Sequence, residues 1–318
     1  MQQSKKNLIK YKLQVGSYFI PARRDKTVTI GDVQNWEGEL IMHPIEIQQL
    51  NIFRCDYLRS LVDDKSSFKN VIDLRACRIW ECEGIECVVS LSSSASSSAH
   101  PFQSLEELDL CDLPKLSALI MKDEGIGSAT TSTLAPSAAT FSHLKEIRID
   151  SCSSMKTLLP NLQNLEEIHV EACRQLVEIL GAATSEVEEK GSDALIKFHL
   201  PKLRELRLST LPNLKSICSK SGEMVCDSLE SISVYECDKL KRIPPFVPLI
   251  GNGQPFAYAP PSLTIRSRTE WWESLEWDDH PNFKNVLQPL WKDERKMKGL
   301  VGKKDSAEER RKGMMEGR

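Results

Sequence analysis

The sequence lacks several features that would assign it to other classes of protein. It contains no apolar run long enough to span a bilayer, and its start, MQQSKKNLIKYKLQVG, has no apolar secretion-signal core. No Asn-x-Ser/Thr glycosylation sequon occurs. The net charge of −3 exerts no general attraction on nucleic acid or anionic lipid. We therefore expect a soluble, cytoplasmic protein that neither binds nucleic acid nor inserts into a membrane.

Motifs for catalysis and cofactor binding are also missing. No GxxxxGK[ST] phosphate loop is present, and the run Gly302-Lys303-Lys304 has a misplaced earlier glycine and no following Ser or Thr. The six histidines are scattered, and none pairs recognisably with a thiol. Cys77, Cys82 and Cys87 leave metal binding open, but no C-x-x-C or H-x₃₋₅-H motif accompanies them. We expect no enzyme, no cofactor and no metal.

A repeated pattern of fifteen residues dominates the chain instead. The copy LEEIHVEACRQLVEI, from Leu165 to Ile179, is apolar at its first, fourth, sixth, twelfth and fifteenth positions. Matching copies begin at residues 47, 74, 105, 144, 203 and 229, at intervals of 21 to 39 residues. The ninth position is Cys55, Cys82, Cys152, Cys173 or Cys237 in five copies and Leu113 or Leu211 in two. The consensus LxxLxLxx(C/L)xxLxxL is the leucine-rich-repeat pattern.

The spacing predicts the fold. The fourth and sixth positions are two residues apart, so they point to the same side of a short strand. Each copy covers its apolar edge only against its neighbours, and the strands therefore stack in parallel. A small, buried thiol suits the ninth position, which explains most of the ten cysteines without disulfides. We predict a strand-rich solenoid of the α/β repeat class, with a parallel ladder on the concave side and irregular loops and short helices on the convex side.

The chain divides into four parts. Residues 1–46 carry alternating apolar residues near Leu13 and Val28 and are interpreted as degenerate leading strands. We expect a preceding segment to cover the exposed edge of the first strand. Residues 47–265 form the solenoid, in which Leu263 and Ile265 fit the fourth and sixth positions of a last strand. Residues 266–291, rich in tryptophan, are a candidate C-terminal cap, with a short helix near 283–290. Residues 292–318 are a charged and disordered tail, and the polar tracts at 92–99, 125–140 and 181–194 are loops.

Several stretches together resemble one family. LPKL and LPNL repeats alternate with C-x-x-L repeats and are followed by IPPFVPLIGNGQPFAYAPPSL, EWWESLEWDD and LQPLW. These stretches, with YKLQVG and CRIWECEGIECVVSLSSS, resemble the C-terminal leucine-rich-repeat region of plant coiled-coil NB-ARC disease resistance receptors. The resemblance covers roughly residues 8–291. It implies that the repeats sense a pathogen effector or a guarded host protein, or contact the NB-ARC domain of a receptor, whereas the nucleotide switch is not present in this chain.

The third, fifth and seventh positions of each copy face away from the core, and we call the surface they form the ladder face. It carries glutamates at the third position and mixed charges at the fifth. One interpretation is a solvated surface whose charge serves solubility. The other is a protein-binding surface with exposed aromatic and arginine anchors. The candidate binding residues are Phe53, Arg78, Trp80, Asp109, Arg148, Asp150, His169, Glu171, Arg207 and Tyr235.

We therefore expect a protein-recognition and regulatory module of an intracellular plant immune receptor. A stand-alone adaptor that binds the substrate of a ubiquitin ligase is the alternative, although residues 1–46 show no F-box-like helical segment. An enzyme carried on the repeats is a third and weaker hypothesis, because no catalytic constellation is evident.

Overall fold

The computed structural model describes most of the repeat region. Its described residues are 12–15, 26–31, 47–63, 73–92, 102–123, 140–159, 162–181, 196–218, 222–249, 258–277 and 281–295. Most of the three predicted polar tracts, most of residues 1–46 and the tail beyond residue 295 lie outside these ranges. Among the described residues, no helix combines the length and apolar character needed to cross a membrane.

One long parallel sheet of eleven strands organises the described residues. Each strand hydrogen-bonds to the corresponding strand of the next repeat, without shifts of register from the strand Gln49–Phe53 to the strand Ser231–Tyr235. In order along the sheet the strands are β1 (Lys12–Val15), β2 (Thr27–Gly31), β3 (Gln49–Phe53), β5 (Ala76–Trp80), β7 (Glu107–Cys111), β9 (Glu146–Asp150), β11 (Glu167–Glu171), β14 (Glu205–Ser209), β17 (Ser231–Tyr235), β18 (Thr264–Ser267) and β19 (Trp291–Asp293). The predicted leucine-rich-repeat solenoid is confirmed.

The core lies on one side of this sheet and follows the repeat pattern. Side chains at the fourth and sixth positions are 0–2% exposed in all seven copies, from Leu50 and Ile52 to Ile232 and Val234. The ninth-position residues are 0–1% exposed. Because apolar burial is worth about 25 cal/mol per Å², this continuous stripe supplies most of the driving force for stacking.

A shared turn ends every strand of the seven copies. The eighth residue of each copy has a left-handed backbone, although none is glycine: Arg54, Glu81, Asp112, Ser151, Ala172, Thr210 and Glu236 have φ between 48° and 54°. In six copies the backbone N–H of this residue donates to the seventh-position carbonyl of the next strand, as Ala172 does to Ser209 at 3.1 Å. The ninth-position thiol then donates to the carbonyl two residues earlier, at 3.2 Å from Cys173 to Glu171. The turn therefore extends the ladder by one hydrogen bond and holds the ninth-position cysteine in its buried position.

A second set of short parallel strands follows the turns. It comprises β4 (Ser60–Val62), β6 (Cys87–Ser92) and β8 (Ala118–Asp123), then β10 (Thr157–Leu159), β12 (Glu178–Leu180) and β15 (Ser216–Cys218), and a pair formed by β13 (Ile196–His199) and β16 (Gly222–Val225). In many copies the apolar residue at the fifteenth position lies inside one of these strands, as the buried Leu61 and Ile179 do. The sequence did not predict them, and within the described residues the helices come only after β18.

The last repeat differs from its predicted register. Ile265 and Ser267 pair with Ile232 and Val234, so they take the fourth and sixth positions that were expected for Leu263 and Ile265. Leu263 instead takes the first position, because its N–H donates to Pro260 at 3.1 Å as the N–H of Leu229 does to Cys226. This copy is one residue shorter than the others before its strand.

A tryptophan cluster packs against the end of the ladder. Helix α1 (Thr269–Glu273) places Trp271 and Trp272 in the core, 7% and 3% exposed. The Trp271 indole N–H donates to the carbonyl of Leu240 at 2.9 Å. The Trp272 ring lies 5.4 Å from that of Trp291 and 5.5 Å from that of Trp277.

Helix α2 (Pro281–Leu287) and a 3₁₀ turn (Gln288–Leu290) lead from this cluster to β19. The helix that was predicted near residues 283–290 is therefore confirmed. Strand β19 pairs in parallel with β18, so the expected boundary between cap and tail, after residue 291, falls inside a strand.

Candidate protein-recognition face

The ladder face is built by strand alternation on β7, β9, β11 and β14. In each of these strands the second and fourth residues are buried, and the first, third and fifth are partly or fully exposed. The outward register predicted for this central part of the ladder is therefore observed. Adjacent strands lie about 4.8 Å apart, so side chains at the same position form continuous columns.

The third-position column is acidic. Glu107, Glu146, Glu167 and Glu205 lie directly beside one another on four neighbouring strands. Like charges at this spacing repel, and arginines of the fifth-position column offset part of the repulsion. Arg148 pairs with Glu146 of its own strand and Arg207 with Glu205.

His169 lies between these two arginines in the fifth-position column. Burial lowers the pKa of its imidazole below the usual value, and the charges of Arg148 and Arg207 lower it further. Burial raises the pKa of the Glu167 carboxyl, and the nearby carboxylates of Glu146 and Glu205 add to the rise. At neutral pH the imidazole is therefore uncharged beside carboxylates that are crowded by like charge.

A small surface depression lies over strands β5, β7 and β9, next to these glutamates and arginines. Its lining includes Arg78, Asp109, Glu146 and Arg148. The Arg78 guanidinium lies 4.0 Å from the Asp109 carboxylate and 5.9 Å from the centre of the Trp80 ring. Burial raises the pKa of Asp109, and the charge of Arg78 acts in the opposite direction. This half-buried group combines an aromatic ring, a cation and an anion, which is the chemistry of a protein-binding anchor.

The first part of the ladder face is buried, which corrects the exposure expected for two candidate residues. Phe53 is 3% exposed and Arg78 is 8% exposed, although both have the outward register. Gln49 and Asn51 are also fully buried and are linked by a hydrogen bond of 3.0 Å, and Asn51 donates to Thr29 at 3.1 Å. Alternation fixes the side of a strand on which a residue lies, but not whether that side meets solvent. Phe53 therefore serves packing, and the accessible face begins near Trp80.

The remaining candidates lie farther along the exposed part. Asp150 and Glu171 are neighbours in the seventh-position column. Tyr235 ends this column, and the guanidinium of Arg268 lies 4.3 Å above its ring and also hydrogen-bonds its hydroxyl.

Sequence reasoning missed Arg268 and the basic residues of the last two strands. Arg266 continues the fifth-position column opposite Ser233, and Lys292 lies opposite Arg266. The shortened last copy had hidden these positions, and a one-residue gap in the alignment of the repeats would have revealed them.

Among the described residues, no cysteine belongs to a group of three side chains that could hold a metal ion. All ten cysteines are free, and nine are buried. Burial raises the pKa of Cys77, and it raises the pKa of Cys82 to about 12. A protonated, inaccessible thiol is a poor nucleophile and a poor metal ligand.

The parallel ladder, the repeated turn and the polar ladder face define a leucine-rich-repeat protein. A family model for the leucine-rich repeats of plant disease resistance protein RPS2-like proteins matches residues 32–161 and 127–248. The chain therefore belongs to this family, and the resemblance inferred from its motifs is confirmed.

Curated relatives agree with this assignment. Disease resistance protein At4g27190 of Arabidopsis thaliana is 29% identical over 93% of this chain and 28% of its own length. Probable disease resistance protein At4g27220 of the same plant is 28% identical over 66% of this chain and 21% of its own length. Putative disease resistance protein At4g10780 is 33% identical over 45% of this chain and 16% of its own length. The chain thus spans less than a third of the length of these relatives.

Proposed function

We propose that this chain is the protein-recognition module of a cytoplasmic plant immune receptor, without the nucleotide-binding switch. The observation that carries the proposal is the exposed ladder face from Trp80 to Tyr235. Its two central arginines, Arg148 and Arg207, have side chains 47% and 58% exposed. Arginine and large aromatic residues contribute most of the binding energy in protein interfaces.

The proposed partner is a protein: a pathogen effector, a guarded host protein or the NB-ARC domain of a receptor. Two arginines beside a column of glutamates present both signs of charge within a few ångströms. Such a pattern selects partners by complementary charge and rejects those with like charge in register. Trp80, beside Arg78 and Asp109, supplies an amphipathic anchor at one end of the accessible face.

Binding is proposed rather than catalysis. Glu146 and Glu205 occupy the same repeat position and pair with Arg148 and Arg207 of the same face. Burial raises the pKa of Cys111, the most accessible thiol, to about 12, and Asp112 and Asp150 add to the rise. Its thiol therefore stays protonated at neutral pH.

The test is quantitative affinity capture from plant extract with residues 1–318 as bait. Replacing Trp80, Arg148 and Arg207 with alanine should abolish capture of the specific partner. The matched control replaces Arg75 and Arg204, whose side chains are 48% and 56% exposed outside the ladder face. A partner that is lost with the first variant and kept with the second supports the proposal.

Three other outcomes are informative. Equal capture by all three baits would refute recognition through this face, provided that circular dichroism shows intact folds. Recovery of an NB-ARC-containing chain would identify a module that docks onto a receptor. Recovery of ubiquitin-ligase subunits would favour the adaptor alternative.

We also infer that residues 266–291 cap the solenoid. The support is the burial of Trp271 and Trp272 against the last repeats and the bond from Trp271 to Leu240. Deleting residues 260–291 should expose the last apolar edge and cause aggregation, which light scattering would detect. A soluble truncation that unfolds cooperatively would contradict the proposed cap.

A further inference from the structure

Three metal-ligating side chains converge at the centre of the ladder face. Glu167 and His169 lie on β11, and Glu205 is the cross-strand neighbour of Glu167 on β14. The His169 Nε2 atom lies 3.6 Å from Glu167 Oε2 and 4.0 Å from Glu205 Oε2. One ligand atom from each of the three residues falls within 4.8 Å of the other two.

The imidazole nitrogen at the centre of this group lacks a hydrogen-bond partner. Within the described residues, only Thr140 Oγ1 and His169 Nε2 are buried side-chain polar atoms without such a partner. Both carboxylate oxygens lie beyond hydrogen-bonding distance of Nε2. A buried polar atom without a partner costs about 1–3 kcal/mol, so an unfilled partner position at this nitrogen calls for an explanation.

Two arginines flank the group, and their pairing leaves the ligand atoms free. Arg207 hydrogen-bonds Oε1 of Glu205, whereas the atom that faces the imidazole is Oε2. Arg148 pairs with Glu146, which is not one of the three ligands. The three glutamates of β9, β11 and β14 face two arginines, which leaves one negative charge uncompensated.

The distances fit a metal ion once the three ligand atoms move closer together. Ligand atoms at 2.0–2.2 Å from a tetrahedral ion lie about 3.4 Å apart. The separations of 3.6 and 4.0 Å from the imidazole, and of no more than 4.8 Å between any two of the ligand atoms, therefore require these atoms to approach one another by about 1.4 Å at most. Glu167 can supply this movement because its side chain is 38% exposed.

We propose that Glu167, His169 and Glu205 form a binding site for a divalent first-row transition metal ion such as Zn²⁺ or Co²⁺. The ligand atoms are Glu167 Oε2, His169 Nε2 and Glu205 Oε2. One imidazole and two carboxylates form a ligand set of intermediate hardness that such ions accept and that leaves a fourth position for water. The site requires only the folded ladder, so it stands independently of the proposed recognition of a protein.

The test is titration of the full chain with Co²⁺, followed by visible absorption and calorimetry. We expect one equivalent to bind and to give ligand-field bands without the intense near-ultraviolet band of a thiolate ligand. His169→Gln and Glu167→Gln should each weaken binding by at least about tenfold. His143→Gln is the matched control, since His143 is exposed and contacts the Gln103 carbonyl at 2.7 Å, away from the face.

Each other outcome overturns the proposal. Unchanged affinity in His169→Gln would place the ion elsewhere, and a thiolate band would assign it to cysteine. Absence of binding to the folded wild-type chain would show that the three side chains do not form a metal site. Circular dichroism of each variant separates loss of a ligand from loss of the fold.

Discussion

Replacing Ala172 with glycine should stabilise the protein, although glycine usually weakens repeat structures. Ala172 is the eighth residue of its copy and has φ of 51°, a left-handed conformation that a Cβ atom disfavours by about 1–2 kcal/mol. The side chain is a single methyl group, so the substitution removes no polar contact. The N–H that donates to the Ser209 carbonyl at 3.1 Å remains available.

The magnitude follows from two opposing terms. Glycine removes the left-handed penalty of about 1–2 kcal/mol, and it increases the entropy of the unfolded chain at a cost of about 0.4–1 kcal/mol. At the midpoints of these two ranges the net stabilisation is about 0.8 kcal/mol. Urea unfolding with a slope of about 3 kcal/mol per molar should then show a midpoint that is about 0.3 M higher.

The matched control is the same substitution on a strand. Ala76 lies in β5, is 1% exposed, and has no left-handed strain to relieve. Ala76→Gly should destabilise the protein by about 1.3–1.8 kcal/mol, from backbone entropy and the lost buried methyl. The two variants therefore move the midpoint in opposite directions. A loss in Ala172→Gly as large as that in Ala76→Gly would refute the reasoning.

Three other predictions concern the turn, the end of the ladder and pH. Gly84→Ala should destabilise by about 1–3 kcal/mol or more, because its Cβ would lie 2.0 Å from the Asp56 carbonyl oxygen. Thermal melting checks this against Gly31→Ala, which meets only contacts of 3.5 Å or longer and should leave the melting temperature nearly unchanged. Trp271→Ala should lower the free energy of unfolding, measured by chemical unfolding, by about 3–5 kcal/mol. The substitution empties a buried site and leaves the Leu240 carbonyl without its donor. A loss below about 1 kcal/mol, as for a surface substitution, would contradict the role of Trp271 in the core. The pKa of Glu167 is raised in the folded state, so its ionisation opposes folding at pH values above that pKa. Glu167→Gln should therefore raise the melting temperature at pH 7, with a gain in the free energy of unfolding of no more than about 1 kcal/mol for this partly exposed group. The gain should vanish below about pH 4, where both states are protonated.

The repeat pattern was sufficient to predict the ladder and its core. Leu108 and Leu110, or Ile147 and Ile149, face the same side because alternation is a local property of any strand. Repetition of the pattern aligned one copy with the next, so the cross-strand neighbours of β3 to β17 also followed from the sequence.

Turn geometry was not predictable in the same way. Seven non-glycine residues adopt a left-handed backbone at the eighth position, where glycine would have been the usual signal. The hydrogen bond to the following strand, which forms in six of the seven copies, is a contact between repeats, and the ninth-position thiol holds the turn from within its own repeat. The one-residue shortening before β18 was missed because Leu263 and Ile265 keep an apolar spacing of two.

The candidate site shows where local pattern ends and three-dimensional packing begins. Residue type and position placed Phe53 and Arg148 on the same side of the ladder, yet the first is buried and the second is exposed. Exposure depends on what packs over a side chain, and the period of a strand contains no information about that. Likewise, Glu205 comes close to Glu167 and His169 because Arg207 pairs with the other oxygen of its carboxylate, and because each side chain reaches far enough across the strands. The order of residues assigned each side chain to a face, and tertiary packing decided which part of that face is available to a partner or an ion.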